Sequence, residues 1–312
     1  MDRTHAVVVG STNWDTCMHL PHLPVPGETV AGGRLQAGIG GKGANQAVAC
    51  HRGGADVHFI SAVGDDQTGA GILAEFQTMG LAVSGIKTVP ACPTGVACIF
   101  IDARGENCIG LTAGANARLT PQTIEQYREL ITSAGVVLLQ LEIPLETVMS
   151  VAQIAAGAGV PVVLNPAPAR ALPDELLAVV DILTPNRGEA AALAGLYTGS
   201  EPGLAAAAKT FLDKGVGRVL VTLGADGAVL FQPKAGAGQA PATQRFAARA
   251  VTAVDTTGAG DVFNGVFCAG LVRGLSCEQA IEEAMVAAAL AVTREGAIAS
   301  IPTREEILAF RT

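Results

Sequence analysis

Aromatic side chains are scarce in this chain: one Trp, two Tyr and nine Phe make up 4% of its 312 residues. With 49% hydrophobic residues overall, the core has to be built from Ala, Val, Leu and Ile. Positive charge is also short. The net charge of −8 and the lack of a long basic run exclude nucleic acid as the main partner. Any phosphate must then be held by local amides and a metal. The cysteines, at 17, 50, 92, 98, 108, 268 and 277, are odd in number and include no C-x-x-C pair. With no signal-type segment ahead of Val7, the expected setting is a reducing cytoplasm. No run suits a membrane: the uncharged stretch 147–169 is broken by Gly157, Gly159, Pro161, Asn165, Pro166 and Pro168, and reads as a helix followed by a strand. "CMHLPH" offers Cys17, His19 and His22, but Pro21 breaks any helix that could align them and no fourth ligand is near. It reads as a loop or short strand.

The length fits one large domain, alone or with a small appendage. "AVVVG" (6–10) is a buried first strand. The proline- and glycine-punctuated region from about 13 to 40, including "ETVAGGRLQAG", reads as a strand excursion outside the main sheet. A helix over 44–54, a strand at "VHFISAVG" and a helix ending at Gly80 follow. "GVACIFID" and "ENCIGLT" then form a hairpin about Ala103-Arg104-Gly105. From residue 120, helices after Pro121 and Pro144, a short helix and "AAAAKTFLDKG" alternate with "GVVLLQL", "VPVVLNP", "DILTPN" and "RVLVTLG". Such alternation predicts an α/β fold with a mostly parallel, helix-covered sheet. Ligands of these sheets sit beyond the C-terminal strand ends. Ser11, Asn13, Asp15, Gln140, Glu142, Asn165, Asn186, Glu189, Thr222 and Gly224 all fall there.

"AVDTTGAGDVFNG" (253–265) sets a glycine-rich turn before Val262, Phe263, Val266 and Phe267, which have helical spacing. Amides exposed at a helix start, with the dipole behind them, bind anions. Asp261 fits two roles there, a helix cap or a base facing a phosphate. "GIGGKGANQ" (38–46) has the letters of a dinucleotide fingerprint, but the first strand ends at Gly10 without it. It is no P-loop either, since Gly43 follows Lys42 and Gln36 stands where the first Gly belongs. What remains is backbone close to something small, with Lys42 and Asn45 as donors, or an ordinary glycine turn. Asn13 and Asp15 in "GSTNWD" could grip vicinal hydroxyls or end the strand in an Asx-turn. Asn186-x-x-Glu189 offers oxygens suited to Mg²⁺ and equally a capping box. "GDDQTG" (64–69) reads as a turn and helix cap.

These strings, with "PGETV", "GGKGANQAVA", "GENCIGLTAGAN", "QLEIPLE", "LNPAPAR", "LVTLG" and "AVTREGA", resemble the PfkB family of sugar kinases nearly end to end, and its ribokinase branch most. The resemblance implies a doubly wound α/β domain with a small β lid, about 13–40 and 91–111, closing over a sugar. It implies ATP, Mg²⁺ and an activating K⁺, with D-ribose phosphorylated at its 5-hydroxyl. The alternatives are 2-deoxyribose or another small sugar, and a sugar- or nucleotide-binding protein that has lost the chemistry. By the resemblance Asp261 is the base, and Gly258, Ala259 and Gly260 form the anion hole. Asn13, Asp15, Gly41, Lys42, Gly43, Asn45 and Glu142 contact the sugar. Asn186, Thr222, Leu223, Gly224 and Gly227 contact the nucleotide, and Glu189 organises the Mg²⁺. Asp255, Thr257, Ala291, Arg294, Gly296 and Ser300 hold the K⁺, largely through carbonyls. Related proteins pair their lids, which implies a homodimer. Trp14 departs from the pattern: the position calls for a smaller residue, and the indole either points into the core or narrows the pocket.

Overall fold

A computed structural model describes residues 3–234 and 240–311. The chain opens with β1 (His5–Val9) and leaves the main sheet for β2 (Asn13–His19) and β3 (Arg34–Gly40). It returns through α1 (Lys42–Arg52) to β4 (Asp56–Gly64), then α2 (Gln67–Thr78) and β5 (Ile86–Val89). A second excursion, β6 (Gly95–Ile101) and β7 (Asn107–Thr112), is followed by α3 (Pro121–Glu125) and α4 (Arg128–Thr132). Alternation then becomes regular, with β8 (Val136–Leu139), α5 (Leu145–Gly157), β9 (Val162–Leu164), α6 (Asp174–Leu177) and β10 (Ile182–Leu183). After α7 (Arg187–Ala194) and α8 (Glu201–Asp213) come β11 (Arg218–Thr222), β12 (Ala228–Gln232) and β13 (Ala242–Phe246). The helices α9 (Ala259–Val272), α10 (Cys277–Ala291) and α11 (Arg304–Arg311) close the chain.

Nine strands form one sheet in the order β13-β12-β11-β10-β9-β8-β1-β4-β5. All pairs from β5 across to β11 are parallel; β12 and β13 add an antiparallel edge. Strand order reverses at β1, so the crevice beyond its C-terminal end is the switch point where such sheets take ligands. Alternation along β1 divides the core between the two faces. Ala6 and Val8 join the apolar cluster under α1, α9 and α10, whereas Val7 and Val9 join the one under α5 and α8. Aliphatic residues dominate both clusters, as the low aromatic content requires.

The excursions pair with each other in a separate four-stranded sheet, β3-β2-β6-β7. Its outer pairs are antiparallel and its central pair, β2 with β6, is parallel. Three local expectations change. The strand expected within 28–38 begins only at Arg34, after positive-φ glycines at 32 and 33. The single helix after Pro121 is two short ones, and the segments 86–89, 228–232 and 242–246 are strands that periodicity had not marked. Asp66 does cap α2, accepting the Gly69 amide at 2.7 Å. "CMHLPH" lies partly in β2, where His19 contacts Gln36; His22 pairs with Glu28. Among the described residues no helix is long and apolar enough to cross a membrane.

Candidate active site

Four loops bring the site together at the C-terminal ends of β1, β8, β10 and β11. The first is the turn into α9. Gly258 caps the helix at φ 73°, a left-handed conformation that a side chain disfavours. A side chain at Gly260 would meet open space, so the turn borders room for a ligand there, while the Ala259 amide is held by the Thr256 carbonyl at 3.2 Å. Asp261 lies in the first turn, 7% exposed, with each carboxylate oxygen holding one amide. Asn45 donates to Oδ2 at 2.9 Å and Gln46 to Oδ1 at 2.8 Å. Asp261 therefore does not cap its own helix through its side chain: the N-cap residue is Gly258 and no side-chain cap bond is present. Of the two roles, the helix cap is not the one its side chain plays.

The second loop is Gly41 into α1. Gly41 sits at φ 90°, which turns the chain from β3 into the helix. Glu142, just beyond β8, accepts the Lys42 amide at 3.0 Å and the Ser11 hydroxyl at 2.6 Å through the same oxygen. One of its oxygens is thus spent joining β1, α1 and β8. Asn13 and Asp15 reach the site from β2 of the small sheet, on the face opposite Trp14. Trp14 is half-buried and packs against the large core beside Ile39. Asn116, unmarked in the sequence, donates to Asn13 Oδ1 at 2.8 Å and also holds both the amide and the carbonyl of Thr12.

Three buried polar atoms among the described residues have no hydrogen-bond partner: Asp15 Oδ1, Asn45 Oδ1 and Gln140 Oε1. Such orphans are costly unless a ligand satisfies them. Two of the three are acceptors on residues placed at the sugar site by sequence. Hydroxyl groups, which donate, are the complement they need.

Electrostatics follow from crowding carboxyl groups around one cation. Burial pushes Asp15 up to about 7; neighbouring Glu142 and Asp261 add to the rise and Lys42 opposes it. For Lys42, burial works to lower the ammonium, but Asp261, Glu142, Glu189 and Asp15 together hold it above its ordinary value. Burial raises Glu189, against the Asn186 amide and Lys42.

The third loop, after β10, carries Asn186 and Glu189 as a full capping box of α7. Asn186 Oδ1 accepts the Glu189 amide and Glu189 Oε2 accepts the Asn186 amide, each at 2.8 Å. The cap uses one oxygen of each side chain. The remaining carboxylate oxygen is a hard donor that fits a hydrated Mg²⁺. Asn186 also bridges to Thr222, which opens the fourth loop, Leu223 to Gly227. Gly227, at φ 89°, is pressed against the backbone of Phe246 to Ala248. A cavity of about 460 Å³ opens beyond that contact, lined in part by Phe246, Ala247, Ala248, Glu282, Met285 and Val286.

The segments 254–258 and 292–300 lie side by side, as expected. Asp255 accepts the Thr257 amide and the Gly296 amide, each at 2.9 Å, while the amides of Val254 and Asp255 both reach the Val292 carbonyl. Burial raises Asp255, but the Thr257 side chain, then the Thr257 and Gly296 amides, with His19 adding to them, outweigh it and hold the carboxyl below its ordinary value. Arg294 turns its guanidinium away to Glu306, and the Ser300 hydroxyl bonds the Ala297 carbonyl. Those two residues can offer the loop backbone oxygen, in keeping with a carbonyl-lined cation site.

Sequence reasoning did not single out Gln46, Asn116, or Thr184 and Asn264, of which Thr184 donates its hydroxyl to Asn264 Oδ1 at 2.6 Å and Asn264 donates to the Gly260 carbonyl at 2.8 Å. Gln46 stood inside a quoted motif, but neighbouring helix residues are not expected to share a target. The α1–α9 crossing places Asp261 between the two.

The family model for pfkB family carbohydrate kinases matches residues 3–304. A ribokinase of Haemophilus influenzae is 43% identical over 308 residues, 99% of this chain and 98% of that one. A deoxyribokinase of Salmonella typhi is 35% identical, covering 96% of each. The structure of an Arabidopsis thaliana ribokinase complexed with ribose and ATP superposes with a TM-score of 0.89 at 35% identity, covering 99% of this chain and 98% of that one. With a family model spanning nearly its whole length and relatives well above 30% identity, the chain belongs to the PfkB family of carbohydrate kinases.

Proposed function

We propose that this protein transfers the γ-phosphoryl group of ATP to the 5-hydroxyl of D-ribose. The observation that carries the reading is the pair of buried, unpartnered acceptors, Asp15 Oδ1 and Asn45 Oδ1, facing the same site as the glycine turn and Asp261. Asn13, Asp15, Lys42, Asn45 and the free oxygen of Glu142 take the sugar hydroxyls, with the backbone of Gly41 and Gly43 alongside. Asp261 takes the proton of the attacking hydroxyl as its oxygen bonds to the γ-phosphorus and the bond to the β-phosphate oxygen breaks. The amides of 258–261 hold the transferring group, supplying electrostatic stabilisation where charge develops. Asn186 and the Thr222–Gly227 loop hold the nucleotide, whose base is assigned to the adjoining cavity. Glu189 would hold Mg²⁺ through water, and that ion when bound neutralises phosphate charge.

Sugar-dependent ADP release over a panel of pentoses and hexoses tests the reading. D-Ribose is expected to give the highest kcat/KM. A clear preference for 2-deoxyribose would move the assignment to the activity named for the Salmonella relative, and no turnover with any sugar would leave a binding protein.

Two further expectations belong to this reading. An aspartate amid backbone carbonyls suits a large, weakly hydrated monovalent ion rather than Mg²⁺, which demands a tight octahedron. Bound beside 255–258, K⁺ would order the anion hole. Potassium should therefore raise turnover with ATP and Mg²⁺ saturating, sodium should substitute poorly, and Asp255→Ala should blunt the response. Equal rates with and without potassium would exclude the site. The second expectation concerns assembly. Ala97 pairs with both Asp15 and Leu111, so the three share one face of the small sheet. Farther out along that sheet Ile109 is 60% exposed and Leu111 49%. A second copy covering this face would bury them. Sedimentation at micromolar concentration should give a dimer; a monomer alone would count against it.

A further inference from the structure

A chain of buried amides runs from the main sheet to Asp261, and its polarity is fixed at one end by backbone. Asn165 donates to the Thr184 carbonyl at 2.9 Å, and a carbonyl cannot be turned into a donor. The other end of that amide, Asn165 Oδ1, must therefore be an acceptor. Gln46 Nε2 lies 3.1 Å from Asn165 Oδ1 and 2.8 Å from Asp261 Oδ1. Both neighbours accept, so the NH₂ end of Gln46 has to face them. Its carbonyl then faces away, and Gln140 Nε2 donates to it at 2.6 Å. Gln46 and Gln140 are both 0% exposed, so neither side chain is open to bulk solvent. Gln140 Oε1 is left packed against the α-carbon of Gly10 without a donor. That unpaired acceptor is costly, and it is tolerated while Gln140 keeps its NH₂ on Gln46.

We propose that Gln46 and Gln140 are positioning residues for the Asp261 carboxylate. Gln46 holds one oxygen directly; Gln140, which does not touch Asp261, fixes which end of the Gln46 amide meets it. Asn45 holds the other oxygen, so the carboxylate plane is set by two donors from one helix. The inference rests on Asp261 being the base. The other titratable groups at this end of the sheet, Asp15, Lys42, Glu142 and Glu189, belong to β2, α1, the loop after β8 and α7, and they stay in place in the variants used.

The test is a pH profile of kcat for the full-length Gln140→Glu variant, with ribose KM measured alongside. While protonated, the introduced carboxyl group donates to Gln46 as the amide does. Once ionised, it opposes the Gln46 carbonyl with a second acceptor, and Gln46 must turn or lose its hold on Asp261. The expected result is near-normal kcat at the acid end and a fall of about tenfold or more toward alkaline pH, with KM changed less than about threefold, scaled to the loss of a buried charge-assisted hydrogen bond. Gln46→Met, which keeps the volume without the donors, should lower kcat about 10- to 100-fold at every pH. If Gln46→Met fails to fold, Gln140→Glu decides alone. A Gln140→Glu profile parallel to the unmodified protein's, or a loss shared equally between kcat and KM, overturns the proposal. Asp261→Asn is assayed in parallel: near-normal turnover there removes the base assignment itself, whereas a dead Asp261→Asn with an unaltered Gln140→Glu profile removes this inference only.

Discussion

Asp261→Asn should lower turnover by about 10²–10⁴, the range for loss of a positioned general base, with ribose binding changed far less. The substitution keeps the volume but not the hydrogen-bond balance. Asn45 and Gln46 both present N–H groups to the present carboxylate, and an amide offers one oxygen where two are needed. One donor will be left unpaired in a buried site, so some loss of thermal stability should accompany the loss of rate. Steady-state kinetics, ribose calorimetry and a melting curve on one preparation separate the two effects. Turnover within a few-fold of normal would remove Asp261 from the chemistry.

Asp15→Ala should weaken ribose binding by about 100-fold or more, equivalent to losing two charge-assisted hydrogen bonds to hydroxyls. Calorimetry showing unchanged affinity would exclude Asp15 from the pocket. The same residue sets a pH dependence of the ligand-free protein. Its carboxyl is held at about 7 when folded, against 3.8 for a free carboxyl. A group raised on folding binds more protons in the native state between those values. The stability it confers is complete below the lower one and is lost as pH rises through about 7. Asp15→Asn, which cannot ionise, should flatten the decline of melting temperature between about pH 4 and 7. An unchanged slope would show that burial is not what holds Asp15 there.

The large sheet was legible because its strands are short apolar runs separated by well-signalled helices, and because its polar residues cluster after strands. The glycine turn at 258–260 and the capping residues Asp66 and Asn186 could be read for the same reason: local chemistry determines them. The antiparallel strands β12 and β13 were not marked: "AVLFQ" is a short apolar run that went unread, and "ATQRF", at the sheet edge, has no clean alternation of its own. Asn116 and Gln46 were missed for a different cause. Asn116 binds a residue more than a hundred positions away, and Gln46 one more than two hundred away. Their partners exist only after folding, and an isolated Asn or Gln has no distinctive signature. At Asn186 and Glu189 the capping box uses one oxygen of each side chain, so the cap does not by itself exclude the ligand positions proposed for them.

The crossing of α1 and α9 is held close by a residue with no side chain. A methyl group built on Gly265 would lie 2.5 Å from the Ala49 methyl and 2.5 Å from the Gln46 carbonyl oxygen. Gly265 is about one helical turn from Asp261, and Gln46 is the residue whose amide holds that carboxylate. Any side chain at 265 must push the two helices apart where the base meets its donors. Under random mutagenesis with selection for turnover, this position should therefore tolerate as little as the pocket itself, although it touches neither sugar nor nucleotide. A tolerance map of the chain would draw the active site larger than a ligand's footprint, extending it along the helix seam into the core.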